Sequence, residues 1–440
     1  MTSFGCMARL LACAITLALP AATWSVLAVA AAAPVRAETP DVPDVPVARE
    51  ARVAGDEART RFIMDLSSPV EFAVSTLSDP YRIVIDLPRV AFDLPETAGQ
   101  EGRGLLSAWR FGMFAAGKSR VVLDAKGPVA VDKAFVLPPV SDQPARFVLD
   151  LVSTSREAFL ETARESAPAP AVARKGDRLA PQPEGKKGLP IIVLDPGHGG
   201  LDTGATGNGG TLEKAVVLDF ALMLRDKLIA TGRYDVRMTR DTDVFIPLRE
   251  RVKIARSLEA DLLLSVHADS VRIGRDQVRG AGVYTLSENA SDEVAAALAE
   301  RENRSDIIAG IDLADEPDDV TDILIDLARQ ETKKFSYLFA RTLVGELRGT
   351  AQLVKNPQRS AGFRVLTAHD VPSALVELGY LSNKLDEKLM TTDEWRGRMS
   401  AALVAAIDNY FGRRFGKPGV KLSQSATGTQ DGEEDTKVEQ

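Results

Sequence analysis

The chain has 440 residues and a formal net charge of −8 at pH 7, from 54 basic and 62 acidic side chains. This length gives room for two domains, and an acidic chain without a basic run lacks the clustered positive charge that nucleic-acid binding requires. Its two cysteines, Cys6 and Cys13, lie close to the start. The rest of the chain therefore has no disulfide and no cysteine metal ligand.

Residues 1–37 are predicted to form a cleavable secretory signal. Arg9 precedes an almost wholly apolar run at residues 10–33, and residues 35–37 (VRA) form a small-residue cleavage site. The apolar run is also long enough to span a bilayer, so an uncleaved anchor is the alternative. Its alanine-rich body and the cleavage site favour removal, and we expect no stable membrane anchor.

Residues 51–153 have the pattern of a small all-β sandwich. Polar and apolar residues alternate in short stretches separated by Pro, Gly and Asp, at residues 60–66, 81–87, 119–124 and 145–151. The region has no histidine, no cysteine and no clustered catalytic set. We interpret it as a binding or targeting domain.

Residues 154–188 lack a sustained pattern and are predicted to be a linker. From residue 189 to 415, apolar strands alternate with helical segments, which is typical of an α/β domain. We expect an open mixed sheet flanked by helices. Its strands are predicted at residues 191–194, 234–238, 262–266 and 374–376, and its helices at 213–230, 248–258, 320–347 and 393–411. Residues 416–440 are polar and predicted to be a disordered tail.

Three polar residues follow apolar strands of this domain: His198, His267 and Glu377. In an open α/β sheet, ligands bind beyond the carboxyl ends of the strands. Glu213 can join them if the glycine-rich loop 199–212 folds over that edge. Two imidazoles and one carboxylate form a catalytic zinc set that leaves the fourth position open for water.

Each of these residues also has a plainer interpretation. A histidine after a strand can be an ordinary turn residue. Glu213, near a predicted cap at Thr211, can be a first-turn carboxylate that interacts favourably with the helix dipole. Glu377 can be a buried acid with an arginine partner. Taken singly, these interpretations are favoured. Four coincident placements at one sheet edge favour a zinc hydrolase instead.

The chain resembles the zinc-dependent N-acetylmuramoyl-L-alanine amidases of the cell-division type. The resemblance covers about residues 190–412 and rests on four motifs in the family's order and spacing, at residues 193–200 (VLDPGHGG), 212–214 (LEK), 265–269 (SVHAD) and 376–383 (VELGYLSN). It implies that His198, Glu213 and His267 bind Zn²⁺ and that Glu377 is the catalytic acid/base. The first domain is similar to the peptidoglycan-localising AMIN-type sandwich of such amidases.

The resemblance also implies the reaction and its place. The enzyme would cleave the bond between the lactyl group of N-acetylmuramic acid and L-alanine in peptidoglycan, in the periplasm, during daughter-cell separation. Zinc would activate water and polarise the lactyl carbonyl, while Glu377 would pass a proton to the leaving amine.

An insertion at about residues 289–318 is predicted to regulate the site. It contains a helix at residues 291–303 with Ser291 as N-cap, followed by an acidic stretch. Division amidases carry a similar insertion, which covers the zinc until an activator with a LytM-type domain displaces it. Glu302 is the preferred carboxylate for filling the open zinc position, with Glu300 and Glu293 as alternatives. A solvated surface helix with no regulatory role is the competing interpretation.

Two other functions compete with the amidase. A non-catalytic wall-binding protein would have no need to retain three ligands together with Glu377. A zinc peptidase or deacetylase would share the metal, but the chain has no His-Glu-x-x-His helix.

Overall fold

The computed structural model describes residues 45–95, 97–115, 117–165, 188–271, 278–311 and 323–415. The predicted signal at 1–37, the predicted tail at 416–440, most of the predicted linker and residues 312–318 of the insertion lie outside these ranges. Within them, no helix combines the length and the apolar character needed to cross a membrane.

The first domain is a two-sheet sandwich, as the alternating pattern predicts. The larger sheet has the strand order β5-β1-β2-β9-β8 and the smaller sheet the order β3-β4-β7-β6. The strands are β1 Val47–Gly55, β2 Arg59–Leu66, β3 Ala73–Leu77, β4 Arg82–Pro88, β5 Ala91–Phe92, β6 Leu106–Ala115, β7 Lys118–Ala125, β8 Val129–Leu137 and β9 Ala145–Ser153. Alternate residues face inward, so that Phe62, Ile83, Ile85 and Phe147 meet in a core between the sheets.

The smaller sheet is covered on both faces. Val84 and Val122 point away from the core between the sheets, yet both are fully buried. They pack with Phe245 and Ala309 from the second domain in a separate apolar cluster. Short apolar runs at residues 83–85 and 121–123 interrupt the alternation in the sequence. Contact with the second domain is the reason that both faces of the smaller sheet are buried here.

The predicted linker begins with a helix. Helix α1 spans Arg156–Glu165, and its Phe159 is 1% exposed. The Phe159 ring packs edge-to-face on Tyr81, with centroids 4.9 Å apart. Sequence reasoning missed this helix because residues 154–188 as a whole lack a sustained pattern. Burial of one aromatic side chain on the sandwich stabilises the helix.

The second domain contains a six-stranded mixed sheet, which confirms the predicted α/β class. Its strands are β10 Ile191–Pro196, β11 Asp235–Met238, β12 Leu262–His267, β13 Ala281–Leu286, β14 Leu353–Ala361 and β15 Ser373–Glu377, in the order β11-β10-β12-β15-β13-β14. All neighbouring pairs are parallel except β13 with β15, which is antiparallel.

Helices cover both faces of this sheet. They are α2 Glu213–Ala230, α3 Leu248–Ser257, α4 Glu293–Glu302, α5 Ser305–Ile308, α6 Ile323–Leu347, α7 Lys384–Met390 and α8 Asp393–Phe415, with a 3₁₀ turn at Arg364–Leu366. Ile192 and Leu194 of β10 pack with α2, α6 and α8, whereas Val193 between them packs on the α3 side. Strands buried on both faces explain the continuous apolar runs in the sequence.

Candidate metal centre and active site

The carboxyl ends of β10, β12 and β15 meet at one edge of the sheet. His267 and Glu377 are the last residues of their strands and lie opposite each other in the parallel register. His198 follows β10 by two residues. Glu213 opens α2, and loop 199–212 brings it over the same edge. The structure therefore brings together the four residues that the sequence singles out.

His198, Glu213 and His267 form a compact cluster of possible metal ligands. Their ligand atoms all lie within 4.8 Å of one another, and all three side chains are buried. Nε2 of His198 lies 3.2 Å from Oε2 of Glu213, and Nδ1 of His267 lies 3.2 Å from Oε1 of Glu213. Two imidazoles and one carboxylate in this arrangement suit a divalent metal ion.

Backbone groups hold the Glu213 carboxylate in place. The amide of Ala205 donates to Oε2 and that of Ala268 to Oε1, each at 2.8 Å. Burial alone would raise the pKa of Glu213, but His198 and His267 outweigh it and hold the pKa well below its usual value. Thr211 is not the helix cap, because Leu212 occupies the N-cap position without a side-chain hydrogen bond.

Asp202 orients His198. Its Oδ2 lies 2.9 Å from Nδ1 of His198, so the proton of a neutral ring is expected on Nδ1 and the lone pair on Nε2. Nε2 is buried and has no hydrogen-bond partner among the described residues. Burial would raise the pKa of Asp202, but His198 and the hydroxyl of Ser305 lower it to about 2. A ligand held by a charged carboxylate, with its free nitrogen toward Glu213, fits a metal site.

Two glycines let the ligands approach the backbone. A Cβ on Gly197 would lie 2.4 Å from Cε1 of His267, and one on Gly204 would lie 2.6 Å from Cδ2 of His198. Gly204 also has a φ of +66°. Gly197 precedes loop 199–212 and Gly204 belongs to it, so that in this loop glycine serves close approach as well as turning.

Glu377 is fully buried beside the cluster. Its Oε2 accepts a hydrogen bond from the Asp269 amide at 3.0 Å, and its Oε1 has no hydrogen-bond partner among the described residues. Burial, with the nearby charges of Asp269 and Glu213, raises the pKa of Glu377 well above its usual value. A carboxyl group with a raised pKa next to a metal site suits general acid/base chemistry near neutral pH.

Glu302 of the insertion lies inside the cluster. Its Oε2 is 3.1 Å from Nδ1 of His267 and 3.5 Å from Nε2 of His198, and the side chain is buried. The neighbouring Arg301 donates hydrogen bonds to the Asp269 carboxylate and to the Ser270 carbonyl. Helix α4 therefore contacts the centre through two consecutive charged residues.

The other two acidic candidates lie elsewhere on α4. Glu300 is exposed and pairs with Arg304, and Glu293 is exposed in the first turn. The helix cap also differs from the prediction. Asp292 is the N-cap and accepts from the Ala295 amide at 2.9 Å. The Ser291 hydroxyl instead accepts from the Ser360 amide of β14.

Sequence reasoning missed a buried network behind the ligands. Asp195 accepts hydrogen bonds from Thr239 and Ser265, and Nη1 of Arg251 lies 2.8 Å from its Oδ1. Nη2 of Arg251 also donates to the His198 carbonyl at 2.6 Å. Asp195 belongs to the 193–200 motif, so the sequence could have indicated its role. Arg251 lies on an ordinary amphipathic helix, and nothing in its local sequence indicates a role at the site.

Comparison with known proteins agrees with this geometry. Residues 192–409 match the N-acetylmuramoyl-L-alanine amidase family, and residues 50–157 match the AMIN domain family. The amidase AmiC of Neisseria meningitidis is 32% identical over 378 residues, which cover 82% of this chain and 89% of the relative. AmiA of Escherichia coli K12 is 39% identical over 233 residues, covering 52% of this chain and 80% of the relative.

Among solved structures, AmiC2 of Nostoc punctiforme is 26% identical, with a TM-score of 0.36, and covers 51% of this chain and 98% of that chain. The extent of the AmiC match and the motif residues gathered at one sheet edge lead to one conclusion. This chain belongs to the N-acetylmuramoyl-L-alanine amidase family, as an amidase with an AMIN domain in front of its catalytic domain.

Proposed function

We propose that this protein is a zinc-dependent periplasmic hydrolase that cleaves peptidoglycan during daughter-cell separation and is held inactive until an activator binds. The bond cleaved joins the lactyl group of N-acetylmuramic acid to L-alanine. The observation that carries this proposal is the buried cluster of His198, Glu213 and His267 with Glu377 beside it.

The donor set supports zinc as the metal. Two imidazole nitrogens and one carboxylate, with Asp202 behind His198, are the ligands and the support that catalytic zinc sites use. When bound, the metal would activate water and polarise the scissile carbonyl. His198, Glu213 and His267 are the proposed ligands.

Glu377 is the proposed acid/base. The Asp269 amide fixes one carboxylate oxygen, and the other has no hydrogen-bond partner among the described residues. A raised pKa makes this group able both to take the proton of the attacking water and to give it to the leaving amine of L-alanine. The products would be free stem peptide and a peptide-free glycan strand.

Glu302 is the proposed autoinhibitory residue, and we refer to the position of its carboxylate between the two histidines as the lock. Its carboxylate lies within 3.5 Å of both histidines, where it would compete with water for the remaining position on a metal ion. Arg301, which contacts Asp269, would hold the helix down. An activator with a LytM-type domain is the proposed partner that displaces α4.

The proposed organisation follows from these assignments. Residues 1–37 would be removed as a signal, 51–153 would localise the enzyme on peptidoglycan, and 154–188 would join it to the catalytic domain at 189–415. The regulatory insertion would span about residues 289–318, and residues 416–440 would be a disordered tail.

The decisive experiment is the digestion of purified peptidoglycan sacculi, with products identified by mass spectrometry. Four proteins are compared at equal zinc occupancy: the parent, Glu377→Gln, Glu302→Ala and the double variant. We expect Glu302→Ala to release stem peptides faster than the parent, and both proteins with Glu377→Gln to release none.

Glu300→Ala is the matched control, because it removes an exposed glutamate from the same helix. It should behave as the parent does. Glycan fragments instead of stem peptides would contradict the proposed bond. Equal basal rates for Glu302→Ala and the parent would contradict the lock while leaving the amidase intact.

A further inference from the structure

The buried outer face of the smaller sheet rests on the insertion. Val84 and Val122 from this face share an apolar cluster with Ala309, which directly follows α5. The packing is tight, because a Cβ on Gly310 would lie 2.9 Å from Cγ2 of Val84. The sandwich is therefore in van der Waals contact with the segment that follows the Glu302 helix.

Two buried arginines of the sandwich bind the end of α5. Nη1 of Arg120 donates to the carbonyls of Ala309 and Gly310, each at 3.1 Å, and Arg82 donates to the Ile307 carbonyl. Carbonyl groups at a helix end lack partners within the helix. The other domain supplies partners to the Ala309 and Gly310 carbonyls, whereas the Ile307 carbonyl also accepts from the Gly310 amide.

Arg120 is held ready for this contact. Its Nε and Nη2 bind Asp86 at 2.6 and 3.0 Å, and its guanidinium lies 3.5 Å from the centroid of the Phe114 ring. The side chain is 2% exposed. A guanidinium fixed by a carboxylate and a ring loses little freedom when it binds carbonyls, so the contact is pre-organised.

A separate contact anchors the sandwich to the main body of the catalytic domain. The Phe245 amide donates to the Met113 carbonyl at 3.2 Å, and the rings of Phe114 and Phe245 stack with centroids 6.1 Å apart. The sandwich thus contacts the catalytic domain at a place that does not involve the insertion.

The opposite end of α5 reaches the metal centre. The Ser305 hydroxyl donates to Oδ2 of Asp202, the carboxylate that orients His198. Asp306 accepts from the Leu248 amide at 2.9 Å. Because Glu302 precedes Ser305 by three residues, a displacement of α5 would also displace the end of α4 that carries Glu302.

We propose that the outer face of the smaller sheet is a docking surface for residues 305–311. Through this contact the AMIN domain helps to keep Glu302 in its inhibitory position. The inference rests on the proposed function of Glu302. The sandwich contacts the catalytic domain at Phe245 and binds the end of α5. These two contacts hold α5 against the catalytic domain and keep Glu302 between the two histidines. Release of the active site then requires α5 to leave the sandwich.

The test uses the full chain with variants on both sides of the contact. Arg120→Met removes the bonds to Ala309 and Gly310 while keeping the apolar stem. Gly310→Val places a branched side chain against Val84. Arg61→Met is the matched control, because Arg61 makes a comparable two-bond pair with Asp150 on the larger sheet. Stem-peptide release and hydrogen exchange at residues 305–311 are measured together.

We expect Arg120→Met to speed exchange at residues 305–311 and to raise basal release roughly 10-fold or more, since hydrogen bonds to a charged group are lost. Gly310→Val should act in the same direction, because its side chain would clash with Val84 and a φ of +71° strains any residue but glycine. Arg61→Met should change neither. Exchange and release at parent levels in both variants, with Glu302→Ala active, would overturn the docking inference and leave the lock. If Glu302→Ala is no faster than the parent, the proposal that Glu302 inhibits the enzyme is wrong. Hydrogen exchange at residues 305–311 then decides by itself whether the segment docks on the sandwich: faster exchange in Arg120→Met supports docking, and parent-level exchange contradicts it.

Discussion

Nη1 of Arg251 lies 2.8 Å from Oδ1 of Asp195, and neither side chain exposes more than 2% of its surface. The pair ties α3 to the end of β10 directly behind His198. Breaking such a pair from one side leaves a buried charge without a partner. We predict that Arg251→Met lowers the free energy of unfolding by about 3–5 kcal/mol.

The matching measurement is a double-mutant cycle in urea with Asp195→Asn, Arg251→Met and the combined variant. The combined variant should lose less stability than the sum of the two single variants, because neither charge is then left alone. Strict additivity would show that the two side chains do not stabilise each other.

Asp202 is predicted to set the metal affinity. Asp202→Asn keeps the size of the side chain but removes the charge beside Nδ1 of His198. We expect the dissociation constant for zinc, measured by competition with a chelator, to rise about 10- to 100-fold. Asp241→Asn, an exposed residue of a nearby loop, is the control and should bind zinc as the parent does. An unchanged affinity in Asp202→Asn would remove this residue from the site.

Gly204 and Gly210 provide a matched pair in the glycine-rich loop. Both have a positive φ, but a Cβ on Gly204 would meet His198 and Glu213, whereas one on Gly210 has nothing within 4 Å. Alanine at either position should cost roughly 1–2 kcal/mol of backbone strain. Gly204→Ala alone should also weaken zinc binding, because the ligands must shift. Equal zinc affinities in the two variants would contradict this steric argument.

The stability of the sandwich should depend on pH through Asp150. The hydrogen bonds of Arg61 lower the pKa of this buried carboxyl group below its ordinary value. A lowered pKa in the folded state means that the ionised form stabilises the fold. The contribution is complete above the ordinary pKa of about 3.9 and is lost as the pH falls through the lowered value.

Calorimetric unfolding of the parent and of Asp150→Asn tests this dependence. The two melting temperatures should differ most above about pH 4 and should converge in more acidic solution. A difference that grows as the pH falls would have the wrong sign for this pair.

Much of the site could be predicted because its signals are local. Apolar strands, glycine-rich turns and polar residues just after the strand ends stand next to one another in the sequence, and parallel strands bring such ends to one edge. His198, His267 and Glu377 follow from that rule, and the resemblance narrows their chemistry. The α/β class follows from the same alternation of strands and helices.

The choice of Glu302 over Glu300 and Glu293 depends on which face of α4 is buried. Ala295, Leu298, Ala299 and Glu302 share one helical face by their spacing, and this face is the one that packs inward. Periodicity groups these four residues, but it does not say what that face meets. Only the folded chain brings it onto His198 and His267.

The long-range partnerships were decided by tertiary structure alone. Arg251 and Asp195 lie 56 residues apart, and Arg120 lies 189 residues from Ala309. An arginine on an amphipathic helix or an alternating strand has the same local pattern whether it faces water or a buried carbonyl. Local residue order determines strands, turns and the chemistry at their ends. The pairing of buried charges depends on which surfaces meet, because a charge is stabilised by the groups that surround it in space.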